Sequence, residues 1–269
     1  MPEGPEIAHI ADYITEKCKG RKLKDVTILR GRYLKHGAPE HFKEFMEALP
    51  LKLLDVQKKG KVLFLNFENG WHIISKLGLT GWWYVSGDMP KWRTFTPNVE
   101  FSFQGRALIF SDLLSYGTLT FTRDESVINK ELKRLAPDVT GVEFKEMKER
   151  LAVLSKRPRW PTTALEEALV DQSYLVSGIG NYLKSEILYT AKISPLRTVD
   201  QITEAEWKRI LHSAKKTINE MTKAMGGKEE KYMNTMKIYQ KKVDPRGNPV
   251  LKYRNSMGRT TYWVPQVQN

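Results

Sequence analysis

The chain opens MPEGPE. A proline at position 2 is small enough for methionine aminopeptidase to remove Met1, which exposes a secondary amine at Pro2. An α-amino group titrates near pH 8 against about 10.4 for lysine, so much more of it is neutral at pH 7. A neutral amine attacks an aldehyde-like carbon and forms an iminium, the Schiff-base route of covalent catalysis. Glu3 and Glu6 flank that amine, one just before a helix and one in its first turn, where carboxylates favour the helix dipole. The same residues would also serve as a plain acidic helix start.

Two further stretches have the residue types of an anion site. In LVSGIGNYLKSEILYTAKISPL, Gly178 and Gly180 precede Asn181 at a helix start, which leaves backbone N–H groups that suit a phosphate. A glycine-containing connection between helices reads the same way. The tail from 231 to 269 carries eight Lys and Arg, Lys231 among them, against one acid, Asp244, and so supplies +7 of the total +13. Arg254 and Arg259 lie among Tyr253, Tyr262 and Trp263, as in a β-ribbon that contacts phosphates. Edge strands also carry such charges to resist aggregation.

The remaining composition narrows the chemistry. A net charge of +13 points to a polyanionic partner. One cysteine, Cys18, excludes an intramolecular disulfide and a multi-thiolate zinc site. The five histidines form no HExxH pair and no His/carboxylate cluster at ligand spacing, so no metal is expected. No apolar run is long enough to span a bilayer and no leader is evident, so a soluble intracellular protein is expected. The sequence leaves its compartment open, the nucleus being one that holds DNA.

These residues need a scaffold, which the pattern outlines. Ile7, Ile10, Ile14 and Cys18 repeat at helical spacing up to Gly20. From about 22 to 122, short β-rich runs separated by turn signals predict a β-sandwich or barrel-like unit. Pro137 and the basic KRPRWP segment put an interdomain link at 131–163. Residues 164–225 are helical, with Thr203 and Glu206 as a capping-box pair. The predicted architecture is therefore α+β: a helix and β-sandwich over 1–130, the link, a helical domain over 164–225, and a β-ribbon over 226–269.

Six blocks in order, MPEGPE, VQKKGKVLFL, KLGLTG, SDLLSYG, DQSYLVSGIGNYLKSEILYTAKISP and MGRTTYW, resemble the formamidopyrimidine-DNA glycosylase / endonuclease VIII family over essentially the whole chain. The resemblance implies a helix-two-turns-helix domain and a terminal β-hairpin finger. It assigns Pro2 as the nucleophile, Glu3 as the acid, and Lys61 as a phosphate contact and proton donor. Lys76, Asn181 and Arg259 become DNA-binding residues, Arg259 also serving δ-elimination. Leu79, Leu114 or Ser115, and Tyr116 fall where members fill the gap left by a flipped base, without the usual arginine. The finger stretch VDPRGNPVLKYRNSMGRTTYWVPQVQ lacks the four zinc cysteines of most members and is similar to the zincless branch. Its folding would then rest on the DPRGNP turn and on Tyr253, Tyr262 and Trp263. The activity implied is excision of oxidised bases, pyrimidines foremost, followed by β,δ-elimination, by a cofactor-free monomer acting on damaged DNA. A purine-directed enzyme and a catalytically silent DNA-binding protein are the alternatives.

Overall fold

A computed structural model describes residues 1–89, 94–225 and 234–269. Lys231, counted in the basic tail, lies outside the described residues. The chain divides into two compact units, Met1–Pro2 with Glu6–Lys133, and Glu3–Pro5 with Arg134–Asn269.

The first unit begins on α1 (Gly4–Cys18), whose Ile7, Ile10, Ile14 and Cys18 are all buried, as their spacing requires. Burial pushes the Cys18 thiol up to about 11, which marks it as a packing residue rather than a nucleophile. Eight antiparallel strands follow among the described residues: β1 (Lys22–Ile28), β2 (Leu51–Lys59), β3 (Val62–Phe67), β4 (His72–Lys76), β5 (Trp82–Val85), β6 (Pro97–Phe103), β7 (Arg106–Ser111) and β8 (Thr118–Thr122). Their order is β5-β7-β6-β1-β2-β3-β4-β8. β1 meets β2 only through Lys22↔Lys52 and Leu23↔Leu51, so the sheet folds there into two halves. Alternate residues such as Leu63, Leu65 and Phe67 on β3 share one core with Val99 and Phe101 on β6. Trp83 anchors it, with the rings of Phe101 and Phe110 each 5.1 Å away.

Two helices interrupt the stretch read as short β-rich runs, α2 (Arg32–His36) and α3 (Phe42–Glu47). Residues 29–50 lack the two-residue alternation of a strand; instead Phe42 and Phe45 stand three apart. Phe45 is fully buried against Trp71 at 5.2 Å, a burial that contributes about 1.5–3 kcal/mol. At the far end lies α4 (Glu125–Arg134), where the Leu132 carbonyl accepts from Lys59 Nζ at 2.9 Å.

The second unit is helical: α5 (Phe144–Leu154), α6 (Leu165–Val170), α7 (Asn181–Ala191) and α8 (Glu204–Met225). Of the stretch 131–163 expected as a link, residues 134–163 are part of its body. Val139, Val142, Met147, Leu154 and Trp160 are buried in the same core as Leu183, Ile187, Trp207 and Ile210. The reason is visible in α5, where Phe144, Met147, Leu151 and Leu154 fall on one face at 3/4 spacing. α7 is buried along nearly its whole circumference, which makes it the central helix of the unit. α8 starts as its sequence predicts: Thr203 N–H donates to Glu206 Oε2 at 2.9 Å, and Glu206 N–H to Thr203 Oγ1 at 3.3 Å.

The chain closes with the hairpin of β9 (Leu251–Arg254) and β10 (Thr260–Trp263). The DPRGNP turn precedes this hairpin; the hairpin's own turn is Asn255–Arg259, with Gly258 at φ +70°. Asp244 is buried and accepts the N–H groups of Arg246 and Asn248, while Tyr189 on α7 donates to its Oδ2 at 3.0 Å. Among the described residues, no helix is long and apolar enough to cross a membrane.

Candidate functional site

The N-terminus carries its two candidate groups into different units. Met1 is 49% exposed and Pro2 is buried, while Glu3, only 1% exposed, is seated in the helical unit. Its carboxylate accepts the N–H of Tyr182 at 3.0 Å on one oxygen and that of Leu183 at 3.1 Å on the other. These are first-turn amides of α7, which lack partners within the helix. The amides that the sequence left open for a phosphate are thus held by the protein's own acid. Gly180 makes this possible, because a Cβ there would stand 2.1 Å from the Glu3 carboxyl carbon. Glu6 sits in the first turn of α1 and is buried.

Asn181 opens α7 and donates through Nδ2 to the Thr260 carbonyl at 3.0 Å, next to Arg259 on the hairpin. Tyr239 lies over this junction, its ring 6.0 Å from that of Tyr182 and 5.0 Å from that of Tyr262. Segment 237–239 is fixed by the buried Glu186, which accepts the N–H groups of Lys237, Ile238 and Tyr239. Burial pushes this carboxyl up, against the lowering effect of the three amides. Arg259 is half-buried, its own N–H bonded to Asn255 Oδ1 at 2.9 Å.

In the first unit, Lys61 follows Gly60 in the two-residue connection between β2 and β3, where Gly60 takes φ +58°. Lys76 ends β4 and is paired with Glu131 of α4 at 2.8 Å, so the cation expected at a phosphate has a partner within its own unit. Leu79, Leu114 and Tyr116 are exposed by 40%, 46% and 61%. Thr80, the residue after Leu79, ties Leu114 to the buried carboxylate of Asp112. Asp112 accepts from Thr80 Oγ1, which in turn accepts Leu114 N–H at 3.0 Å, and Asp112 Oδ2 accepts Gly117 N–H at 2.6 Å.

The same loop borders a cavity of about 650 Å³ that sequence reading did not anticipate. Arg30, Arg32, Lys35 and His36 line it from one segment, and Leu114 and Tyr116 from the other. Gly31 lets the segments touch, since a Cβ there would lie 2.7 Å from Ser115 Oγ. No acid lines the cavity, and Arg30, Arg32 and Lys35 have no ion-pair partner among the described residues.

Two family models match the chain: the formamidopyrimidine-DNA glycosylase N-terminal domain over residues 1–119 and the formamidopyrimidine-DNA glycosylase H2TH domain over residues 135–232. The chain belongs to the formamidopyrimidine-DNA glycosylase family. Its relatives include the formamidopyrimidine-DNA glycosylases of Desulfitobacterium hafniense, 27% identical, and Listeria monocytogenes, 26% identical, each aligned over the full length of both chains. A solved structure of MutM in complex with DNA containing carbocyclic 8-oxo-G shares the fold at a TM-score of 0.83, with 24% identity and full coverage of both chains. The family is one of DNA-repair glycosylases, which accounts for the basic composition and the paired β-sandwich and H2TH units. Both relatives carry the formamidopyrimidine name rather than the endonuclease VIII name. Among the candidates, Pro2, Lys61 and Lys76 belong to the first unit, and Glu3, Asn181 and Arg259 to the second.

Proposed function

We propose that this glycosylase is bifunctional, with the Pro2 amine, freed by loss of Met1, as the nucleophile for both base excision and strand cleavage. The observation that carries the reading is the Glu3 carboxylate, one residue from the amine and fixed by both oxygens to α7. An acid held this firmly delivers a proton to one place, and the adjacent amine can be no more than one residue's length away.

The steps follow from the groups. Pro2 N attacks the sugar C1′ as the C1′–base bond breaks, and the damaged base leaves with the bonding pair and takes up a proton. Glu3 assists by protonating the sugar ring oxygen, which opens the ring and gives an iminium after the amine loses its proton. The iminium acidifies the C2′ hydrogen; its removal expels the 3′-phosphate oxygen in β-elimination. Loss of a further proton expels the 5′-phosphate oxygen in δ-elimination, and water then hydrolyses the iminium to free Pro2. Lys61, Asn181 and Arg259 bind the phosphates flanking the flipped nucleotide, with Arg259 assisting the second elimination. Leu79, Leu114 and Tyr116 occupy the gap in the stack, and the cationic cavity beside them receives backbone phosphate.

The finger is read as one that folds without metal, supported by its lack of cysteine and by the apolar contact of Tyr189, Ile238 and Val264 at its base. Oxidised pyrimidines are the proposed substrates; the name of the curated relatives favours formamidopyrimidine purines as the second reading. Borohydride reduction with abasic-site DNA tests the core of the proposal. Protein lacking Met1 is expected to form a trapped adduct at Pro2, and protein retaining Met1 to form none. Absence of an adduct from the processed protein would overturn the reading, and excision from duplexes bearing each lesion class decides between the two substrates.

A further inference from the structure

The helical unit holds a buried ion pair that the chemistry above does not use. Lys184 on α7 is wholly buried, and its Nζ lies 2.7 Å from Glu166 Oε2 on α6, itself 5% exposed at the side chain. Lys184 Nζ also donates to Thr261 Oγ1 on β10 at 2.7 Å. Glu166 gathers three more donors, all from the hairpin: Tyr253 OH at 3.0 Å, Asn255 Nδ2 at 3.0 Å, and the Thr261 hydroxyl. Burial pushes the Glu166 carboxyl up, but Lys184 and the hydroxyl and amide donors outweigh it and hold the group below the usual carboxylate range. Burial lowers the Lys184 ammonium against the pull of Glu166.

Such a pair is a poor device for stability alone. Two well-packed apolar side chains in its place are often neutral or stabilising, whereas removing one partner strands a buried charge. What the pair does provide is direction. The Asn255 side chain, held by Glu166 through Nδ2, accepts Arg259 N–H on Oδ1 at 2.9 Å, and Asn255 N–H donates to the Arg259 carbonyl at 2.9 Å. A chain of hydrogen bonds therefore runs from α6 through one side chain to the backbone of Arg259.

We propose that Glu166 and Lys184 are positioning residues for Arg259, setting the hairpin turn that aims its guanidinium at a DNA phosphate. In a finger without metal ligands, this buried pair fixes the register that ligation would otherwise impose. The inference rests on the phosphate role of Arg259 proposed above. It separates the two eliminations: positioning of Arg259 governs the second, while iminium formation at Pro2, once DNA is bound at saturation, does not depend on it.

The test is the product ratio. Glu166→Leu combined with Lys184→Met removes both charges together and strands neither. With saturating abasic-site DNA, which offsets any loss of affinity, the yield of δ-product relative to β-product is expected to fall roughly tenfold or more, the scale of a displaced catalytic group, while the borohydride-trapped yield stays at the native level. Glu166→Gln with Lys184→Met keeps an uncharged acceptor for Asn255 and Tyr253 and is expected to restore most of the ratio. Asn255→Ala, in the turn at the surface, cuts the same relay without touching the buried pair and reproduces the loss if the double variant does not fold. An unchanged ratio in Asn255→Ala, or a ratio and a trapped yield that fall in step, overturns the proposal. If the native protein forms no adduct, the nucleophile assignment has failed instead, a result distinct from a native adduct with unresponsive variants.

Discussion

Asn181 donates through its side chain to the Thr260 carbonyl at 3.0 Å, so the α7 residue and the hairpin arginine next to Thr260 are held together by the protein before any DNA arrives. Arg259→Ala should weaken binding to abasic-analogue DNA and reduce the salt slope of log affinity by about 1, the signature of one lost phosphate. Asn181→Ala should also weaken binding, partly by releasing Thr260. The double variant is then expected to lose less than the sum of the singles, with a coupling of about 0.5–3 kcal/mol. Strict additivity across the cycle would separate the two residues.

Glu3 accepts two amides, and glutamine at this position keeps its size and one accepting oxygen. Protonation of the sugar ring oxygen helps only while the glycosidic bond is intact. Glu3→Gln is expected to lose excision of a damaged base while still nicking a preformed abasic site. Equal loss on both substrates would remove Glu3 from the first step.

Lys76 is paired with Glu131 at 2.8 Å, so in its proposed phosphate role DNA would compete with a carboxylate for this cation. Glu131→Gln removes the competitor. Affinity for duplex DNA at low salt should rise roughly twofold to fivefold, the scale of an exposed ion pair. The gain should vanish when Lys76→Gln is added. A gain that survives in the double variant would show that Glu131 acts by general repulsion of DNA, not through Lys76.

Acid stability has an identifiable contributor at the start of α8. Arg197 at 2.7 Å, with help from Thr203, holds the Glu206 carboxyl down to about 2, against an ordinary value of 4.5. Because the folded value is the lower one, the stabilisation is complete above about 4.5 and is lost as pH falls towards about 2. Urea midpoints measured down through this window should fall more steeply for the native protein than for Glu206→Gln. Parallel profiles would assign the acid sensitivity to other groups.

Local patterns disclosed what a single element decides. The Ile7–Cys18 stripe, the Thr203–Glu206 cap and the Gly60–Lys61 connection each depend on neighbours within a few residues. The family blocks then supplied Pro2, Glu3, Asn181 and Arg259. Features that need the folded topology stayed hidden. Glu166 meets Thr261 across 95 residues, and Thr80 meets Asp112 across 32, and nothing in either local sequence names its partner. The cationic cavity was missed because Arg30, Arg32, Lys35 and His36 stand in a stretch read as β-rich, where such charges look like a solvated edge. Pro137 and a basic run mark 131–163 as a link, and its local helical spacing does not disclose that Met147 and Leu154 share a core with Leu183 and Trp207 far along the chain.

Asp244 leaves its mark on how this finger is free to change. One buried carboxylate, steadied by Tyr189, satisfies the inward-facing amides of the turn, while Lys241, Lys242, Pro245 and Arg246 all face outward. Among the described residues, no side-chain hydrogen bond from Lys241, Lys242 or Arg246 closes the loop, so the foundation and the façade are separately heritable. Lineages can exchange the charges presented there without renegotiating how the turn folds.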